Sequence, residues 1–339
     1  MIRVAVLGAG HWGPNLIRSF HTHQASEVAW VVDVDADRIA QVRSRYPDVR
    51  VSPRAEDALH DSTVDAVVIC TPTTTHYALA RAALEAGKHV LVEKPITTRS
   101  DQAEELCRLA EAKQRVLLVG HIFLYNAAVR FVKRILDAGD LGRVYYISME
   151  RTNLGPIRVD VNAAWDLAAH DIAIVDHWLG GSARSVSATG GTWINAGIED
   201  AVFATLRYPN GMLVNLHASW LNPKKAREIT VVGDRRMLTV DDMNLSEPVR
   251  IYDKQVTDAQ VRPGFVDTFA SFRASVRDGD ITIPRVSSGE PLQVECEHFL
   301  DCITTGEPPL TGGPSGVRVV RTLEAITRSI QNHGREEPV

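Results

Sequence analysis

Ile2-Arg3-Val4-Ala5-Val6-Leu7-Gly8-Ala9-Gly10-His11-Trp12-Gly13-Pro14 is the stretch from which the rest of the chain can be read. A short apolar run ends on a glycine, a G-x-G-x-x-G follows, and residues 13–22 then place Leu16, Ile17 and Phe20 on one helical face. A lone G-x-G-x-x-G is weak, but between a strand and a helix it is a dinucleotide fingerprint. Gly8 permits the tight turn, Gly10 lets the backbone approach a pyrophosphate, and Gly13 lets helix and strand pack closely. Pro14 needs no amide partner in the first helical turn. The free N–H groups of that turn, with His11 and Trp12 beside them, face the phosphates.

Downstream, Glu27 to Val32 reads as a second strand, ending at Asp33, 23 residues after Gly10. An acid there accepts from a ribose 2′-hydroxyl and repels a 2′-phosphate, so NAD is expected rather than NADP. Asp35 is the second candidate for that role. Arg38 would serve a 2′-phosphate or stack on adenine. Val64 to Cys70, Lys88 to Val92 and Arg115 to Val119 are further strands, alternating with helices over 36–46, about 76–86 and about 99–113. Strands almost continuous in apolar residues are covered on both faces, which predicts a doubly wound parallel sheet over residues 1–120.

From about residue 120 the pattern changes. After a helix over 126–137, strand-like segments dominate: 143–152, 184–193, 200–208, 211–219, 227–233 and 236–241. Pro209-Asn210-Gly211 is a hairpin signal between two of them. Helical patterns return at 165–179, 290–303 and 314–331. Residues 121–339 thus read as an α+β domain with a large, open, mostly antiparallel sheet, whose last helix packs back on the first domain. The whole is an α/β protein.

Composition sets limits on function. The chain has 339 residues, 37 basic and 42 acidic, for a net charge of −5. Bulk-electrostatic nucleic-acid binding calls for a basic chain, so none is expected. No apolar run approaches the ~20 residues of a membrane span, and no charged, cleavable leader precedes the first strand. Cys70, Cys107, Cys296 and Cys302 form no C-x-x-C pair. A cytoplasmic protein is expected.

Candidate chemistry follows two strand ends and one helix. Thr71-Pro72 with His76, and Glu93-Lys94-Pro95, lie where parallel sheets bind ligands, at the carboxyl ends of their strands. Asp166 and His170 stand four apart, on one helical face. A carboxylate beside an imidazole raises its basicity and orients it, which suits a general base; a surface pair or a helix cap is the plainer alternative. Asp166, His170 and His177 lack the company of a zinc motif, so no metal is expected. Neither G-x-S-x-G nor a Walker A sequence is present.

Taken together, Gly8 to Gly13, Thr71-Pro72 with His76, Glu93-Lys94-Pro95, Asp166 with His170, and the tail around Phe299 and Pro308-Pro309 resemble the Gfo/Idh/MocA oxidoreductases. The resemblance implies a Rossmann domain followed by an open-sheet domain, and dimers or tetramers through that sheet. It carries the family's catalytic trio onto Lys94, Asp166 and His170: His170 takes the hydroxyl proton, Lys94 hydrogen-bonds the same oxygen, and Asp166 positions the substrate or tunes His170. Thr71, Pro72, His76, Glu93 and Lys94 then join the cofactor site. Arg151-Thr152-Asn153-Leu154-Gly155 with Arg158, and Ser219 to Lys225, resemble the branch acting on nucleotide-linked sugars, the UDP-N-acetylglucosamine 3-dehydrogenases and related oxidases. That implies Arg151, Asn153, Arg158 and Lys224 as further substrate contacts, the cations meeting a diphosphate. The expected function is NAD-dependent oxidation of a sugar hydroxyl, at C3 of a UDP-linked N-acetylamino sugar. The alternatives are a dehydrogenase or keto-reductase of a free sugar, cyclitol or antibiotic sugar, an NAD-dependent glycoside hydrolase, and a non-catalytic nucleotide sensor.

Overall fold

A computed structural model describes residues 1–209, 211–256, 276–287 and 289–339. The chain divides into two compact units, one of Met1–Asn126 with Gly289–Glu324 and one of Ala127–Ser288 with Ala325–Val339.

The first unit is built on a six-stranded parallel sheet. Its strands are β1 (Ile2–Leu7), β2 (Ser26–Val32), β3 (Arg50–Ser52), β4 (Ala66–Ile69), β5 (His89–Glu93) and β6 (Leu117–Gly120), in the order β3-β2-β1-β4-β5-β6. Between them run α1 (Gly13–Thr22), α2 (Ala36–Arg45), α3 (Ala55–Leu59), α4 (Thr73–Glu85) and α5 (Ser100–Ala112). The apolar runs read from the sequence are these strands, and all four residues of β4 and of β6 are buried. β3 and α3 were not anticipated, because three and five residues carry too little periodicity to register.

The expected unbroken extent of the second domain over 121–339 needs correction. α8 (Pro291–Thr305) belongs to the first unit, since Leu292, Cys296, Phe299 and Leu300 share one core with Val4, Leu16, Phe20 and Leu118. Phe299 meets Phe20 edge to face, ring centroids 6.3 Å apart. The exposed edge of β6 is also covered: Val119 donates its N–H to the Thr311 carbonyl at 2.8 Å.

The second unit holds α6 (Ala127–Asp137), α7 (Ala169–Leu179) and a nine-stranded sheet ordered β14-β13-β12-β11-β7-β10-β9-β8-β15. These strands are β7 (Val144–Leu154), β8 (Ser185–Gly191), β9 (Ala201–Arg207), β10 (Leu213–Ser219), β11 (Leu221–Gly233), β12 (Met237–Asp241), β13 (Val249–Val256), β14 (Val276–Thr282) and β15 (Glu337–Pro338). The sheet is mostly antiparallel, but β10 runs parallel to β7, with Leu213 opposite Tyr146. β9 and β10 pair antiparallel as the hairpin signal predicts, although Asn210 of that signal lies outside the described residues. The last helix, α9 (Gly313–Gln331), contributes Gly313–Glu324 to the first unit and its final turns to the second, where Ser329 Oγ accepts from the Ala188 N–H at 2.8 Å.

Alternation along the central strands separates two faces. Ile147, Met149, Val214, Leu216, Val202 and Ala204 are buried, while Tyr146, Phe203 and Leu213 on the opposite side are exposed.

Candidate functional site

In the first unit, β1 ends and Gly8 turns the chain at φ +103°, a value L side chains rarely adopt. A Cβ on Gly8 would also stand 2.7 Å from the Cys70 carbonyl oxygen, and one on Gly13 only 2.3 Å from that of Gly8. At Gly10 a Cβ would meet nothing closer than the Arg38 guanidinium at 3.4 Å, so this side of the loop is open to a ligand. His11 is exposed and Trp12 half-buried beside it. Asp33 is buried and firmly aimed: Oδ2 accepts from the Ala9 N–H at 2.6 Å and Oδ1 from the Asp35 N–H at 2.9 Å.

Asp35 is the N-cap of α2, accepting from the N–H groups of Asp37 and Arg38. Capping, rather than a ribose, accounts for it. Arg38 lies 3.5 Å from both Asp33 and Asp35, a cation already flanked by two acids. These features fit a dinucleotide: phosphates on the open α1 terminus, and a ribose 2′-hydroxyl on Asp33.

The β4 and β5 ends carry the other expected residues. Thr71 and Pro72 lead into α4, and Glu93 closes β5 ahead of Lys94. The Lys94–Pro95 peptide is cis. His76 departs from its expected role. It is 1% exposed, with Nδ1 at 2.9 Å from the Pro95 carbonyl and Nε2 at 2.9 Å from that of Thr71. Both ring nitrogens are thus engaged by backbone, and His76 shapes the site by tying its two loops together instead of facing a ligand.

In the second unit, residues 164–168 form a wide i→i+5 turn leading into α7. Such turns concentrate at functional sites. Asp166 sits in it and His170 opens α7. Both Asp166 oxygens are held: Oδ1 accepts from Arg158 Nη1 at 3.1 Å and Oδ2 from the indole N–H of buried Trp220 at 3.1 Å. Arg158 also grips Asp160, at 2.9 Å through Nε and 2.6 Å through Nη2. These two carboxylates, with Asp160 first, hold its guanidinium pKa above the ordinary value.

Arg151 must be reassigned. It shares the helix-covered face of β7 with Ile147 and Met149, is 5% exposed, and bonds Asp171 Oδ1 through Nε at 2.9 Å and Nη2 at 2.7 Å. A guanidinium spent on a buried carboxylate does not meet a diphosphate; it ties β7 to the residue following His170. Asn153 turns its amide onto the Gly155 carbonyl at 2.5 Å. Lys224 stands exposed on β11, paired with Glu228 at 2.7 Å. Trp220, which holds Asp166, and Asp171, which holds Arg151, are not among the candidates the sequence offers. Asp171 had one signal, its place beside His170; Trp220 had none beyond its stretch.

Against this geometry stand the comparisons with known proteins. Residues 2–121 match the oxidoreductase family model with an NAD-binding Rossmann fold, and 129–239 match the GFO/IDH/MocA C-terminal domain. A UDP-N-acetylglucosamine 3-dehydrogenase of Acidithiobacillus ferrooxidans is 30% identical over 336 residues, covering 97% of each chain. The chain belongs to the Gfo/Idh/MocA family. It is an NAD-binding oxidoreductase. The solved structure of the Acidithiobacillus enzyme superposes with a TM-score of 0.82 over 98% of both chains, at 28% identity. A scyllo-inositol 2-dehydrogenase (NAD(+)) of Bacillus subtilis is 25% identical, covering 98% of this chain and 94% of its own. The WlbA dehydrogenase of Bordetella pertussis, solved with NADH and UDP-GlcNAcA, shares the fold at a TM-score of 0.82 and 22% identity, over 100% of this chain and 97% of its own.

Proposed function

We propose that this oxidoreductase oxidises the C3 hydroxyl of a UDP-linked N-acetylamino sugar to a ketone. What carries the reading is end-to-end similarity to a UDP-N-acetylglucosamine 3-dehydrogenase, in a chain that holds the expected trio Lys94, Asp166 and His170. Bound NAD supplies the hydride acceptor. Gly8, Gly10, Gly13 and Asp33 hold it, with Thr71, Pro72, Glu93 and Lys94 along the neighbouring strand ends. His170 removes the hydroxyl proton as carbon–hydrogen cleavage proceeds. Lys94 hydrogen-bonds the same oxygen and stabilises its alkoxide character. Asp166, fixed by Arg158 and Trp220, orients substrate and imidazole. With Arg151 withdrawn, Arg158 and Lys224 are the cations left for a diphosphate.

That withdrawal supports one second reading, a free sugar or cyclitol, which needs no cationic clamp. The test is incubation of the protein with NAD and a panel of UDP-sugars, with and without 2-oxoglutarate, read by nicotinamide absorbance and mass spectrometry of the sugar. A product two hydrogens lighter is expected, absent with Lys94→Ala and with His170→Ala while NAD still binds. No change in any UDP-sugar, with NAD bound, moves the assignment to the second reading.

We also assign a homodimer or homotetramer, formed through the exposed sheet face that carries Tyr146, Phe203 and Leu213. Among the described residues no helix is long and apolar enough to cross a membrane. The four cysteines stand as free thiols, which supports the cytoplasmic location expected from the sequence.

A further inference from the structure

Arg158 and Trp220 hold the Asp166 carboxylate, but a carboxylate is aimed only as well as the backbone that carries it. That backbone is the wide turn of residues 164–168, a form rarer than ordinary helix. The first N–H groups of any such turn lack partners inside it. Here two residues provide them. Asn162 Oδ1 accepts from the Trp165 N–H at 3.1 Å, and the Asn162 carbonyl accepts from the N–H of Asp166 itself, also at 3.1 Å. The Glu199 carbonyl accepts from the Ala163 N–H at 2.9 Å. Asn162 thus plays the part of a helix cap, a role its side chain suits.

The cap is itself held. Asn162 Nδ2 donates to Glu199 Oε2 at 2.6 Å. A carboxylate can only accept, so it fixes the amide with its nitrogen toward Glu199 and its oxygen toward the turn. β8 makes way for the acid: a Cβ on Gly190 would stand 2.7 Å from Glu199 Cγ, so the side chain lies across bare backbone. The next residue, Asp200, is buried. Its Oδ2 accepts from the N–H groups of Trp193 and Ile194 at 2.7 and 2.9 Å, and its carbonyl accepts from the Trp220 N–H at 2.9 Å. Glu199 and Asp200 therefore reach Asp166 by two routes, through Asn162 to its turn and through Trp220 to its carboxylate.

We propose that Asn162 and Glu199 are positioning residues for Asp166: Glu199 locks the Asn162 amide, and Asn162 fixes the turn from which Asp166 meets substrate and imidazole. Both act through Asp166 and not on the reacting atoms. The inference rests on the reading of Asp166 as the group that orients substrate, and its first test requires no sugar.

The Trp220 indole N–H reports on Asp166 directly, since Asp166 Oδ2 is its acceptor. Its nuclear magnetic resonance signal in the isotope-labelled full chain is assigned by its absence from Trp220→Phe. Asn162→Ala, which removes the cap, should shift that signal. Asn162→Asp sets two carboxylates against each other and should shift it as well. Asn162→Asp with Glu199→Gln exchanges donor and acceptor at constant net charge, and should return the signal to its wild-type position. With a UDP-sugar that the protein oxidises, kcat of Asn162→Ala should fall about tenfold while KM for NAD stays within about twofold, and the exchanged pair should recover most of the loss. A pair that served stability alone would lower Tm and leave the indole signal and kcat where they are. An unmoved signal or an unchanged kcat in folded Asn162→Ala, or an exchanged pair no nearer wild type than Asn162→Asp, overturns the proposal. If no sugar is oxidised while the indole signal shifts and returns as expected, the positioning stands and the choice of substrate falls.

Discussion

Asp171 accepts two charge-assisted hydrogen bonds from Arg151, at 2.9 and 2.7 Å, with both side chains almost wholly out of water. Removing one partner leaves the other buried and uncompensated, a cost of about 3–5 kcal/mol. Arg151→Leu should lose about that much stability in a urea titration, and Arg151→Leu with Asp171→Leu should regain most of it. A diphosphate role for Arg151 would instead show as weakened UDP-sugar binding with stability unchanged. The alternation of β7 held a clue to this burial. Ile147, Met149 and Arg151 share a face, and a cation in step with core residues needs an anion opposite it. What the sequence lacked was the partner, since Asp171 lies 20 residues away on another element.

At the scale of elements, α8 returns the chain to the NAD-binding unit. Its inward face is apolar but for Glu295, it starts at Pro291, and it stops at Gly306 with φ +76°. All of that is local, so the helix was legible at 290–303. Its destination was not, because Phe20 and Phe299 are joined only through space. Phe299→Ala should destabilise the protein by about 3–5 kcal/mol, measured by calorimetry, and NAD should restore part of the loss by binding the folded unit. An NAD-independent Tm shift would place Phe299 outside the unit that binds the cofactor. β11 shows the opposite limit. It runs from Leu221 through Asn222-Pro223-Lys224-Lys225, and its pairing with β7 shifts register between Leu221 and Ala226. Polar residues and a proline hide a strand from any periodicity search, so only its end, 227–233, was read.

For the whole molecule, the sheet of the second unit poses the question of assembly. Tyr146 faces Leu213 across β7 and β10, and Phe203 stacks on His217 with ring centroids 4.4 Å apart, all on the exposed side. Exposed aromatic and apolar side chains on a sheet face favour a partner that covers them. Light scattering at micromolar concentration should report a dimer or tetramer, and Phe203→Asp should lower the mass. A monomeric wild type would leave that face without its proposed role.

By itself, the sequence determined the elements whose causes are local. The parallel strands follow from apolar runs, the dinucleotide loop from three glycines, of which the turn itself requires Gly8 and Gly13, and the acid after β2 from its distance along one βαβ unit. Lys94, Asp166 and His170 are candidates that the family resemblance supplies, not ones that local pattern singles out. Only the tertiary structure decided which polar groups face each other inside. It turned Arg151 from a ligand contact into a buried tie, and His76 into a clamp between two loops. It also gave Trp220 to Asp166. The physical reason is the same in each case: a buried polar group is defined by its partner, and that partner is supplied by another element at a distance no local pattern encodes.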